Sequence, residues 1–168
     1  MKISIRLAVP SDAPDMAEVL MRSWEVAYRD IIPAEYIREK SATRHDSFKR
    51  IITDENSTQY VIQTDGKTVG IMGINPTPHD DDLDDDIAEL ESIYLHPDWY
   101  RQGIGSQAMD FAYEVARRAG KTAIVLWVFA GNTNSIKFYE KCGFSADGKT
   151  KTYDIGKVMD CIRMRRGL

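Results

Sequence analysis

The stretch Glu89-Leu90-Glu91-Ser92-Ile93-Tyr94-Leu95-His96-Pro97-Asp98-Trp99-Tyr100-Arg101-Gln102-Gly103-Ile104-Gly105-Ser106 passes from a strand, through a glycine turn, into a helix. The apolar run from Ile87 to Leu95 reads as the strand, and Pro97 stops it. A helix is predicted from about Ser106 to Ala119, with Ala108, Ala112, Val115 and Ala119 as its buried stripe. Glycines let successive backbone N–H groups point into one concavity. The helix start adds unpaired donors and the positive end of its dipole. Together they form a cradle for a pyrophosphate that needs little basic charge. A short G-x-G alone also fits a plain tight turn, so its neighbours decide the reading.

Downstream, Thr122 to Phe129 is nearly all apolar and reads as a central strand buried on both faces. It leads into Asn132-Thr133-Asn134-Ser135-Ile136-Lys137-Phe138-Tyr139-Glu140-Lys141-Cys142-Gly143-Phe144, a short helix from about Asn134 to Cys142 closed by glycine. Asn132 suits a helix cap or an amide donor to a ligand, and Tyr139 carries a phenol able to give up a proton. Two strand-like pieces, near residues 149–154 and 158–165, finish the chain. Upstream, residues 2–8 alternate as a first strand. Helices are predicted near 13–28, with Met16, Leu20, Trp24 and Ala27 on one face, and near 34–53 beyond Pro33. Residues 59–64 and 68–75 form a hairpin about Asp65-Gly66. This order predicts an α/β domain over residues 1–168, with one mixed sheet covered on both sides.

Hydrophobic residues make up 43% and charged residues 29%, the profile of a globular domain rather than a disordered chain. No apolar run is long enough to span a bilayer, and the N-terminal stretch lacks a signal-peptide pattern. A net charge of -4 argues against nucleic acid as the main partner. The 2 cysteines, Cys142 and Cys161, have neither metal-ligand nor disulfide-framework spacing, so no metal is expected and a reducing, cytoplasmic setting is the default.

Taken in order, these motifs resemble the GCN5-related N-acetyltransferase (GNAT) superfamily. Tyr100-Arg101-Gln102-Gly103-Ile104-Gly105 matches its R/Q-x-x-G-x-G/A signature, with Tyr100 departing from the usual first residue. Glu89 to Pro97 is similar to its central strand and Asn132 to Phe144 to its later helix. Trp24-x-x-x-Tyr28-Arg29-Asp30-Ile31-Ile32-Pro33 looks like a subgroup's first helix and acceptor loop, which suggests Trp24, Tyr28 and Ile32 as substrate-binding residues.

The resemblance implies a mostly antiparallel sheet, helices on both faces, and a central strand splayed into a V-shaped cleft for acetyl-CoA. The pantetheine arm would pair with Ile93, Tyr94 and Leu95. The pyrophosphate would sit on Arg101, Gln102, Gly103, Ile104, Gly105 and Ser106, with Asn132, Ser135 and Tyr139 completing the cofactor site. An amine would attack the thioester directly, with the N–H of Leu95 receiving the oxyanion. Glu89, Glu91 or a water held by either would be the base, and Tyr139 the acid. Glu89 and Glu91 stand two apart, hence on one side of a regular strand, unless a bulge separates them.

The six aspartates between Asp80 and Asp86 read as a solvated loop, balanced by Arg163, Arg165 and Arg166, or as an attractant for a cationic acceptor. A small-molecule or peptide amine is the expected partner, and a homodimer a family-level expectation. The rival reading is a non-catalytic acetyl-CoA sensor or an interaction domain of the same fold.

Overall fold

The computed structural model describes residues 2–54 and 58–168. The chain runs β1 (Ser4–Leu7), α1 (Ala13–Ala27), α2 (Ala34–Thr53), β2 (Gln59–Thr64), β3 (Lys67–Asn75), β4 (Ile87–Leu95), α3 (Ile104–Arg118), β5 (Ala123–Phe129), α4 (Thr133–Lys141), β6 (Ser145–Asp154) and β7 (Val158–Gly167). One sheet takes the order β1-β2-β3-β4-β5-β7-β6. Every neighbouring pair is antiparallel except β4 with β5. The expected mixed, mostly antiparallel sheet is therefore present.

Period-2 alternation sorts the strand residues between two layers. Tyr60, Ile62, Met72, Ile74, Leu90 and Leu126 pack with Ile104, Ala108, Met109 and Ala112 of α3. Val61 and Ile71 point the other way, onto Ala13, Met16 and Val19 of α1 and Phe48 of α2. The β2–β3 turn places both Asp65 (φ 49°) and Gly66 (φ 77°) in the left-handed region, the type I′ geometry that Asp-Gly favours.

Three expectations need correction. The stripe of α3 ends on Ala116, which is buried, and Ala119 is exposed. Ile104, Met109 and Tyr113 widen it, because i+3 and i+4 neighbours share a face. In α1 the buried residues are Ala13, Met16, Val19 and Ser23, while Leu20, Trp24 and Ala27 are less buried, at its flank. The last two strands are longer than their β-favouring cores, because pairing with each other carries them through polar sequence.

The feature that places the site is a splay. β4 and β5 are paired only at Ile87–Ala123, Ala88–Ile124 and Glu89–Val125. Beyond Glu89 the two strands part, and the sheet opens into a V between Ile93–Leu95 and Trp127–Phe129. Across β3, the register shifts so that Gly73 faces Ser92 and Ile74 faces Leu90. Glu91 is thus an extra residue on β4, a bulge. It reverses the alternation: Leu90, Ile93 and Leu95 pack toward α3, whereas Tyr94 turns to the α1 side.

Candidate active site

The opening is a cleft of about 1100 Å³ lined from β4, β5, the start of α3, α4 and the end of α1. Its main-chain chemistry comes from strand pairing. The His96 N–H donates to the Val69 carbonyl at 2.8 Å, so His96 and Val69 form a hydrogen-bonded pair. In an antiparallel ladder such pairs alternate with pairs whose N–H and C=O groups point outward. Leu95 opposite Gly70, and Ile93 opposite Met72, are therefore the outward kind. Their groups face the gap that β5 has vacated. Tyr94, opposite Ile71, spends its main chain on β3, and only its side chain reaches the cleft. Of the three residues expected to pair with an extended ligand, two offer their backbone and one its ring.

The floor is the turn into α3. Gly103 is the N-cap at φ 77° and caps no N–H with a side chain. The N–H groups of the first turn, Ile104 to Ser106, have no intrahelical partners. Arg101 is also left-handed, at φ 60°, which a side chain seldom adopts. The two left-handed residues bend the chain so that successive N–H groups converge. Gln102 is turned away, its amide donating to the Asp98 carbonyl at 3.1 Å. The departure at Tyr100 has a structural use: its hydroxyl lies 3.3 Å from Ser23 Oγ and ties this turn to α1. An uncapped helix start under two outward-facing strand amides fits a diphosphate joined to an extended, amide-bearing arm. Acetyl-CoA has that chemistry.

Asn132, 5% exposed, caps α4 by accepting the Ser135 N–H at 3.2 Å. Its carbonyl is thereby committed, and its NH₂ remains for the cleft it lines with Ser135. Tyr139 sits one helical turn further on. Burial, then the neighbouring Tyr94, raise its phenol well above the ordinary value, so it stays protonated. Tyr28 is raised too, by burial first and then by Tyr94 and Tyr139. These three phenols meet where α1, β4 and α4 converge, with Phe129 edge-on to Tyr28 at 5.5 Å.

Of the three residues read as acceptor contacts, Tyr28 lines the cleft and Trp24 and Ile32 pack behind it. Trp24 is edge-on to Tyr28 at 5.1 Å, and the Arg44 guanidinium stacks over its ring, 4.1 Å from the centroid.

Glu89 occupies the closed end of the V and is 7% exposed. Its Oε2 accepts the His79 backbone N–H at 3.0 Å and lies 2.9 Å from His79 Nδ1. The bulge puts Glu91 out of the regular pleat, yet its Oε1 lies 3.7 Å from His79 Nε2. Partial burial pushes the Glu91 carboxyl above its usual range, and His79 opposes that rise. The imidazole thus joins the two carboxylates. Sequence reasoning passed over His79 because it precedes an aspartate run and has no periodic context.

That run is not a free loop. Asp80 Oδ2 accepts the Trp127 indole N–H at 2.8 Å. Arg163, 4% exposed, donates to Asp82 at 2.8 and 3.0 Å and to Asp147 at 2.7 Å, and reaches Asp80 at 3.4 Å. Lys149 and Lys151 add pairs to Asp82 and Asp80, and Asp86 holds Thr122. The expected balancing of charge falls to Arg163. Arg166 instead donates to the Cys142 carbonyl and stacks on Tyr113. Asp80 and Asp82 are thus paired within the protein, and an attractant role for the loop would fall to its remaining aspartates. Among the described residues no group of His, Cys, Asp and Glu is placed to hold a metal, and no helix is long and apolar enough to cross a membrane.

Comparison with known proteins converges on the same architecture. The family model described as Acetyltransferase (GNAT) family matches residues 15–144. A protein of Methanocaldococcus jannaschii, named as an uncharacterized N-acetyltransferase, is 28% identical over 141 residues, 84% of this chain. The chain spans only 60% of that relative's length. The PaiA N-acetyltransferase from Thermoplasma acidophilum, solved in complex with coenzyme A, superimposes with a TM-score of 0.78 over 100% of both chains at 22% identity. YncA from Salmonella typhimurium, solved with acetyl-CoA, gives 0.67 over 100% of this chain and 95% of its own at 18% identity. At those identities the structural likeness is one of fold.

Proposed function

Because the chain belongs to the GNAT family of acetyltransferases, we propose that it moves an acetyl group from acetyl-CoA to a primary amine by direct attack. The observation that carries this reading is the V between β4 and β5, with outward N–H groups above an uncapped helix start. When bound, acetyl-CoA supplies an activated thioester. The chain's own residues do the rest. The first turn of α3 holds the diphosphate. Ile93 and Leu95 hold the arm by main-chain pairing, and their N–H groups are the donors for charge that develops on the carbonyl oxygen.

Glu89 is the base and Tyr139 the acid. Glu89 and Leu95 face Asn75 and Gly70, five steps apart on β3, which at about 3.3 Å per residue is roughly 17 Å of strand. Glu89 therefore receives the amine proton through water, and Ile93 is the donor nearer to it. An alkyl ammonium has a pKa of about 10, so the proton must leave before attack. Tyr139, held neutral by its burial, has a proton to give to the departing sulfur. The acceptor enters beside Tyr28, Phe129 and Ile155.

A panel of small amines, polyamines, amino acid derivatives and peptides, incubated with acetyl-CoA and read by released thiol, tests the assignment. Amine-dependent thiol release is expected. Calorimetric binding of CoA without release for any amine would favour the sensor reading, and no binding would remove both.

A further inference from the structure

Glu89 has to be emptied after each turnover, and it is buried at the closed end of the cleft. A carboxyl in that position needs a route for its proton. Among the described residues only one imidazole touches it. His79 approaches with both its backbone N–H and its Nδ1, while its side chain is 64% exposed. Nδ1 meets the buried carboxylate, and Nε2 lies on the open side of the ring, 3.7 Å from Glu91 Oε1. Its chain neighbour Asp80 keeps the ring in place. Asp80 is fixed by Trp127 and Arg163, so the segment entering β4 has little freedom to swing His79 away.

We propose that His79 is a positioning residue that orients Glu89 and carries the proton Glu89 removes from the amine out to solvent. This rests on the reading of Glu89 as base. The ammonium N–H bond breaks and, through water, a Glu89 O–H bond forms. That O–H then breaks as neutral His79 takes the proton on Nδ1. The imidazolium loses its Nε2 proton to water, and proton exchange with water moves the remaining proton from Nδ1 back to Nε2, so that both groups return to their starting charge and tautomer. No other reactant is needed.

The charged groups facing the ring set its proton affinity. Glu89 and Glu91 favour the imidazolium, Lys151 disfavours it, and Asp80 is neutralised by Arg163, Lys151 and the Trp127 N–H. The hydrogen bond to Glu89 outweighs desolvation and raises the His79 pKa above its ordinary value. The proton-accepting form has His79 neutral, so activity rises with pH as His79 deprotonates.

The test has two arms. The first follows the imidazole by NMR in the protein alone, without cofactor or amine. The chain has 3 histidines, and the spectrum of H79Q assigns the signal. His79 is expected to titrate above the ordinary imidazole value, and E89Q to bring it down. The second measures kcat/KM against pH for wild type, H79Q and H79A, the last with and without imidazole. H79Q is expected to lower kcat about 10- to 100-fold, leave the KM for acetyl-CoA unchanged and move the acid limb to lower pH. Imidazole is expected to restore part of the H79A rate. A wild-type rate and acid limb in H79Q would overturn the proposal. So would an equal loss in H79Q and H79A with an unmoved limb and no response to imidazole. If E89Q leaves wild-type turnover intact, it is the role of Glu89 that fails, and the NMR arm still reports the His79–Glu89 contact.

Discussion

Gly70 on β3 and Leu95 on β4 face each other so closely that a Cβ on Gly70 would lie 2.5 Å from Leu95 Cδ2 and 3.0 Å from the Tyr94 carbonyl oxygen. Leu95 lies flat across β3 because that position has no side chain. Gly70→Ala is expected to push Leu95 and its backbone toward the cleft. Overpacking of this kind costs about 1–3 kcal/mol, so the thermal midpoint should fall. The KM for acetyl-CoA should rise in a protein that is still folded. An unchanged KM would show that Leu95 does not position the arm.

Gly105 is the second close approach. A Cβ there would meet the Phe138 ring at 3.2 Å, where α3 starts against α4. Gly105→Glu adds bulk against Phe138 and negative charge where a diphosphate would lie. Calorimetry is expected to show no binding of CoA while circular dichroism stays native. Retained binding would remove the start of α3 from the site.

Tyr139→Phe removes one oxygen from a half-buried ring packed on Phe138 and Phe144. Turnover should fall about 100-fold or more with acetyl-CoA binding nearly intact. Because the Tyr139 phenol is raised above its ordinary value, it stays protonated through pH 9. Its ionisation should not appear as a falling limb of kcat below that pH. A wild-type rate in the variant would take Tyr139 out of the acid role.

Arg163→Ala leaves Asp80, Asp82 and Asp147 facing one another without their shared cation. Arg163 is buried but its partners are partly exposed, so the variant should be less stable through lost pairing and mutual repulsion of the carboxylates. The hydrogen bonds from Arg163 and Lys149 hold Asp82 well below its usual range. A carboxylate lowered on folding stabilises the protein above its unfolded pKa, about 4, and that contribution disappears as pH falls through the folded value. The gap in urea midpoint between wild type and variant should therefore be wide at pH 7 and narrow toward pH 2. A constant gap would assign the loss to packing alone.

Much of this fold could be read from the chain. The Asp65-Gly66 turn, the boundaries of α2 and the strand–glycine–helix order arise from local chemistry acting within a few residues. Three elements could not be read that way. The bulge at Glu91 arises from pairing with β3, and no residue in E-L-E-S-I-Y-L marks the inserted position. Arg163 looks like one of several C-terminal cations until the sheet brings Asp80, Asp82 and Asp147 around it. His79 acquires meaning only from Glu89, ten positions later, across the turn that the aspartates hold in place. Each depends on contacts distant in sequence, where propensity and spacing carry no signal.

The inserted residue at position 91 is a bend that β3 does not count. Deleting Glu91 would restore an even pleat and leave the register beyond it intact, with Leu90 still opposite Ile74 and Ser92 still opposite Gly73. Leu95 would still turn toward α3 and Tyr94 toward α1, because each would keep its partner on β3. A single-codon deletion would thus straighten the strand where it leaves β5 and keep the amides of Ile93 and Leu95 as the cleft's edge, separating the curvature of the opening from the chemistry that lines it.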